Sequence, residues 1–124
     1  IRARYGRYLA TIQAQGNKIV LFCAGHQAIM FINILGISHY ISYIMDDDPC
    51  KQGYFVPGTN IPIVASKILL AEPAIQVCLL ALNPKFEKPI TQKLSNFIQR
   101  GGKMYSIFPG SDMGTLLESN NAAY

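Results

Sequence analysis

Apolar positions recur along the chain in two alternating rhythms, one helical and one of short unbroken runs. Ile1, Tyr5, Tyr8, Leu9 and Ile12 fall at helical spacing, with arginines on the wet side and Gly16 as a left-handed stop, which predicts an amphipathic helix. Residues 18–23 (K-I-V-L-F-C) form a short apolar, partly β-branched run, the pattern of a strand buried on both faces. After a tight turn at Ala24, Gly25 and His26, residues 27–35 are apolar nearly all round, as a helix lying on a sheet should be. Gly36 ends that helix.

A second strand, residues 41–45, runs straight into Asp46, Asp47, Asp48 and Pro49. The loop that follows is rich in turn formers: Gly53, Pro57, Gly58, Asn60 and Pro62. A short strand at residues 61–64 leads to a brief helix, 66–71, stopped before Pro73. Residues 75–82 are the most strand-like segment, and Asn83-Pro84 caps what comes next. Ile90, Leu94, Phe97 and Ile98 mark a helix whose start Pro89 resets, and Gly101-Gly102 closes it. A last strand, 103–107, ends before Pro109, and the tail 111–124 is small and polar apart from Met113, Leu116 and Leu117. Strands alternating with helices predict a single α/β domain over 1–124: a Rossmann-like three-layer fold with a mostly parallel sheet of about five strands.

Composition narrows the class of partner. The 124 residues suit one compact domain, and with 50% hydrophobic and 15% charged residues the chain is expected to be folded rather than disordered. The net charge of +4 is uneven, because Arg2, Arg4, Arg7 and Lys18 all precede the first acid, Asp46. A phosphate-bearing small ligand or an acidic partner domain suits that excess, as does a plain solvated helix face. Nucleic acid is the weakest of the options, since no basic stripe is interleaved with aromatics.

Three cysteines share no metal-like spacing; Cys23 and Cys78 sit in apolar runs and are expected to be buried small hydrophobes, which points to a reduced, cytoplasmic setting. The longest greasy stretch, 28–37, is interrupted by Asn33 and Gly36 and is too short for a membrane span. The first residue is Ile1 rather than Met, so a piece of something longer is expected.

In such folds ligands bind beyond the carboxyl ends of the strands, where the strand order reverses. Two features are predicted there. The turn Cys23-Ala24-Gly25-His26-Gln27-Ala28 occupies the place of a G-x-G-x-x-G/A fingerprint but keeps only the middle glycine and the final small residue. Helix amides at that turn can hold a phosphate through their partial positive charge. Asp46, about 20 residues further on, stands where an acid that binds ribose hydroxyls is expected; the competing reading makes Asp46, Asp47 and Asp48 turn and cap residues ahead of Pro49. His26 is a candidate phosphate donor or an inert surface cap; no partner carboxylate or thiol at a readable spacing makes it a base. No His/Cys/Asp cluster has metal-ligand spacing, and G-x-S-x-G, the P-loop pattern and C-x-x-C are all missing. The residues describe a binding domain with no catalytic residue of its own and no cofactor held in this chain.

The loop carries a family resemblance. Residues 46–63, D-D-D-P-C-K-Q-G-Y-F-V-P-G-T-N-I-P-I, closely resemble a stretch of the C-terminal domain of the SAM-dependent sugar C-methyltransferases. There an acid at a strand end is followed by a proline, here Pro49, then by K-Q-G, here Lys51, Gln52 and Gly53. P-G-T-x-I-P-I follows, here Pro57, Gly58, Thr59, Ile61, Pro62 and Ile63. Agreement extends to Asn33, Ala81, Asn83 and the stretch from Gly101 to Pro109. The resemblance implies a third domain of a larger enzyme, whose missing central domain holds S-adenosylmethionine and the acid/base residues. It further implies that Lys51, Gln52, Gly53, Pro57, Gly58 and Asn83 line a cleft for a nucleotide-linked deoxysugar, with Gly25, His26, Gln27 and Asp46 beside them. The chain departs from the family where a glycine-rich turn with a lysine (Y-G-A-x-x-K-G) is usual: Cys23, Gln27 and Ala28 replace its outer glycines and its lysine, and Leu82 replaces a tryptophan. Two other readings remain open at this stage, a stand-alone nucleotide-sugar module of the sugar acyltransferase type and a protein-interaction domain that docks through its basic first helix.

Overall fold

The computed structural model describes residues 1–121, with side chains as far as Glu118; the end of the expected polar tail, residues 122–124, lies outside the described residues. Helix α1 (Arg2–Ala14) leads into strand β1 (Lys18–Phe22), helix α2 (His26–Leu35), a 3-10 turn and strand β2 (Ile41–Met45). After the long loop come β3 (Ile63–Val64), α3 (Ile68–Ala71) and β4 (Ile75–Leu80). A 3-10 turn (Pro84–Phe86) then precedes α4 (Glu87–Lys93), α5 (Ser95–Gln99), β5 (Lys103–Ser106) and α6 (Leu116–Asn121).

The five strands form one sheet in the order β3-β2-β1-β4-β5, and every pairing is parallel. Parallel neighbours need crossovers, and the helices supply them on both faces. Alternate side chains of β1 and β4 then serve different layers. Ile19, Leu21, Val77 and Leu79 join Leu9 of α1 and Ala28 and Ile32 of α2 in one core cluster. Val20, Phe22, Cys78 and Leu80 join Leu69, Leu94 and Phe97 in the other. The result is the expected three-layer α/β Rossmann-like fold, and it explains why both strands read as continuous apolar runs.

Several boundaries differ from the pattern-based expectation, and the larger differences have physical reasons. β1 stops at Phe22, because Cys23 turns into the left-handed region with φ of 89° and is only half-buried, not the strand residue of a closed core. β3 shortens to two residues because Ile61 and Pro62 are spent on a hairpin: the Val56 amide donates to Ile61 O at 2.9 Å, and Phe55 bridges Pro62. The expected helix around residues 90–98 breaks at Leu94, whose ψ of 23° lets its side chain turn into the core and starts α5 on a new axis. Phe97 of α5 then lies against Gly102, where an added Cβ would sit 2.5 Å from the ring, so only glycine fits. Finally, Leu116 and Leu117 are buried on the α1 side as the first residues of a helix, so this part of the tail helps to close the core.

Candidate functional site

The strand order reverses between β1 and β4, and the turns that leave their carboxyl ends make the floor of the candidate site. Gly25 is the N-cap of α2 in an extended conformation, and no side chain caps that helix. His26 and Gln27 begin it and are exposed, so the first-turn amides face outward with their share of the helix dipole. Ahead of them, the Cys23 amide donates to Met45 O at 2.7 Å and fixes the left-handed corner. Burial and then the Asp46 carboxylate push the Cys23 thiol above its ordinary value against the pull of Lys51, so at neutral pH it is an unreactive thiol.

Asp46, at the end of β2, is folded into this turn. Its Oδ2 accepts from the Ala24 amide at 2.9 Å and its Oδ1 from the Asp48 amide at 2.9 Å. Lys51 Nζ lies 3.6 Å from Oδ2 and donates to Ala24 O at 3.3 Å, and Gln52 Nε2 donates to Asp46 O at 3.0 Å. The Asp46 side chain keeps 13% of its exposure, against 43% for Lys51. The carboxylate therefore has little capacity left for ligand hydroxyls, while the ammonium still faces solvent beside the α2 amides.

Asp47 supports the next layer. It accepts from the Ser66 amide at 2.8 Å and the Ser66 hydroxyl at 2.7 Å, and it pairs with Lys93 of α4. Burial alone would raise its carboxyl; the Lys93 ammonium and the two Ser66 donors outweigh that and hold it below the usual carboxylate range. Asp48 accepts from the Cys50 amide at 3.0 Å and only shapes the bend.

The structure thus brings together Gly25, His26, Gln27, Asp46, Lys51 and Gln52, and it separates Pro57 and Gly58 from them. The pairing of β2 with β3 sets Ile63 level with Ile44, whose amide donates to Pro62 O at 3.1 Å. The hairpin runs back from there past Val56 and Ile61, so its tip, residues 57–60, lies toward the amino side of the sheet. Val56 and Ile61 are buried against the α1–α2 layer, and Pro57 and Gly58 are exposed at the tip. Of P-G-T-x-I-P-I, Ile61 is thus buried in a core, and Pro57 and Gly58 stand exposed at the hairpin tip. Gly53 donates its amide to Ile63 O at 3.1 Å and holds the outer edge of β3. Asn83 stands at the carboxyl edge after β4, exposed, its Oδ1 accepting from the Lys85 amide at 3.0 Å as a cap.

Among the described residues no group of three or more His, Cys, Asp or Glu side chains could hold a metal ion. Among them, too, no helix is long and apolar enough to cross a membrane. Asp46, which stands where an acid that takes ribose hydroxyls is expected, already accepts from the Ala24 and Asp48 amides and lies 3.6 Å from Lys51 Nζ.

The model of the C-methyltransferase C-terminal domain family matches residues 1–109. The chain belongs to that family. Within the C-methyltransferase C-terminal domain, the matched region covers every strand of the sheet and both turns described above. No curated protein matches the chain. Its fold is similar to that of UDP-D-quinovosamine 4-dehydrogenase from Vibrio fischeri, with a TM-score of 0.57 and 20% identity over 86% of this chain and 85% of that one. It is similar as well to RSP, a Rex-family repressor, with a TM-score of 0.58 and 13% identity over 86% of this chain and 56% of that one. At such identities these two likenesses concern the fold alone.

One residue that sequence reasoning missed is Glu87. It is a charged side chain that is almost wholly buried, and nothing in its local pattern marks it so.

Proposed function

We propose that this C-methyltransferase C-terminal domain is the nucleotide-sugar-binding part of a SAM-dependent sugar C-methyltransferase, working with a separate SAM-binding catalytic domain. One observation carries the reading: the uncapped start of α2 and the half-exposed Lys51 ammonium meet at the carboxyl edge where the strand order reverses. That pairing suits a diphosphate. The His26 and Gln27 amides offer oriented donors, and Lys51 adds a compact positive charge that stands in for the lysine missing at Gln27.

Asp46 has a different part in this reading from the one its position first suggests. It holds Ala24 and Lys51 in place, so it shapes the phosphate site without touching the sugar. The chain itself contributes binding and orientation, while methyl transfer belongs to the domain that holds S-adenosylmethionine. The family match over residues 1–109 favours this reading over the acyltransferase module and the docking domain. A UDP-sugar enzyme of similar fold is compatible with a nucleotide sugar at this edge.

Calorimetric titration of the chain with thymidine diphosphate glucose and, separately, with S-adenosylmethionine tests it. Saturable binding of the first and none of the second is expected. The reverse pattern would overturn the reading.

A further inference from the structure

Helix α2 is apolar nearly all round, yet the fold covers only one side of it. Ala28, Ile32 and Leu35 are buried, whereas His26, Gln27, Met30, Asn33 and Ile34 form an exposed stripe. Their spacing keeps those five on one helix face. None is Asp, Glu, Lys or Arg, and neither is any other residue of α2. Met30 is 44% exposed and Ile34 65%. Beside Ile34 lies an apolar hollow of about 270 Å³, whose lining includes Phe31, Leu35 and Pro109. A helix face kept free of charge next to such a hollow has the composition of a covered surface, not of a solvated one.

The charges at the two ends of the stripe say what covers it. Arg2 lies at the carboxyl end of α2, where a Cβ on Gly36, the residue that ends the helix, would meet its guanidinium. Asp48 lies by the amino end, where its amide and that of Ala24 both donate to the Asp46 carboxylate. Arg2 and Asp48 are exposed, and neither has an ion-pair partner among the described residues. Asp46 and Asp47, by contrast, are balanced by Lys51 and Lys93. The surface therefore carries a free cation at one end, a free anion at the other and an apolar middle. Turned about a two-fold axis, that pattern is complementary to itself. A partner of one charge sign throughout would be repelled at one end. An antiparallel copy centred on Met30 sets His26 against Ile34 of the other copy and Gln27 against Asn33. It brings Arg2 of each chain toward Asp48 of the other and no like charges together.

We propose that α2 is the interface through which two copies of this chain pair, antiparallel about Met30. The pairing uses side chains on the helix flank. The first-turn amides, which point along the axis, stay open for the ligand site at the carboxyl edge. The contact is one helix face wide, at the small end of specific interfaces, so the dimer is weak, with half-association on the order of 0.1 mM. The proposal does not depend on the nucleotide-sugar reading.

Sedimentation velocity of the full chain between about 10 μM and about 1 mM tests it. The mass is expected to rise from one chain toward two across that range. Met30→Glu puts two carboxylates at the axis and is expected to weaken association by more than about tenfold. Ile34→Asp serves in its place should that variant fail to fold. Leu70→Glu, on the exposed side of α3, is expected to leave the dimer as it is. Arg2→Glu should weaken the dimer, and adding Asp48→Arg to it should restore the affinity. A wild type that stays monomeric at the highest concentration overturns the proposal, as does a dimer that the stripe variant leaves intact. Loss of the dimer in Leu70→Glu, or a double variant no tighter than Arg2→Glu, overturns it as well.

Discussion

The Asp46 carboxylate accepts the Ala24 amide at 2.9 Å, tying the end of β2 to the turn that follows β1 across 22 residues of sequence. Both carboxylate oxygens are used, Oδ2 by that turn and Oδ1 by the Asp48 amide of its own loop, so the acid at the strand end builds the site's floor. Removing it should loosen the turn before it affects any ligand contact. Asp46→Ala is expected to lower stability by about 1–3 kcal/mol, the cost of two lost hydrogen bonds to a carboxylate and one orphaned amide. Urea denaturation reads the loss, and hydrogen exchange at the Ala24 amide should accelerate beyond the global change. An unaltered midpoint would show that the turn stands without Asp46.

Cys23 has φ of 89°, where side chains other than that of glycine are strained. The usual order of alanine and glycine should therefore invert here. Cys23→Gly is expected to be more stable than Cys23→Ala by about 1 kcal/mol, although glycine normally costs more through its freedom in the unfolded chain. Thermal melts of the two variants under one buffer decide it. The glycine that the resemblance leads one to expect at this position would have the same physical reason, and the cysteine keeps the backbone shape at a cost in strain.

Asp47 makes stability depend on acid. Its folded carboxyl is held below the ordinary value of 3.8, chiefly by Lys93 and Ser66 against the contrary effect of burial. A depressed folded value means that the contribution is complete above the unfolded value and is lost as pH falls through the folded one. Unfolding free energies measured from about pH 5 down to about pH 3 should fall more steeply for the wild type than for Asp47→Asn. Parallel slopes would place the acid sensitivity elsewhere.

How much of this was legible in the sequence follows from the range of each interaction. β1 and β4 are visible because burial on both faces forces unbroken apolar runs, and the parallel sheet follows from their alternation with helices. The placing of Gly25, His26 and Gln27 at the start of α2 needs only the local pattern of strand, turn and helix. The role of Asp46 depends on an amide 22 residues away, and an acid that closes a turn looks the same in sequence as one that awaits a ribose. Pro57 and Gly58 are a different case. Their motif is specific, but the hairpin between Val56 and Ile61 buries two apolar residues and carries the tip away from the edge. Glu87 is hidden for a third reason: its burial is produced by Ser111 and the loop after β5, which no periodicity relates to α4.

The central claim is that a diphosphate is held by the α2 amides beside Lys51. Amide NMR of the chain during titration with thymidine diphosphate tests it most directly. The account predicts saturable shifts concentrated at Gly25, His26, Gln27 and Lys51, weakened about tenfold in affinity by Lys51→Met. Shifts confined to the amino side of the sheet, or none at all up to millimolar ligand, would contradict it.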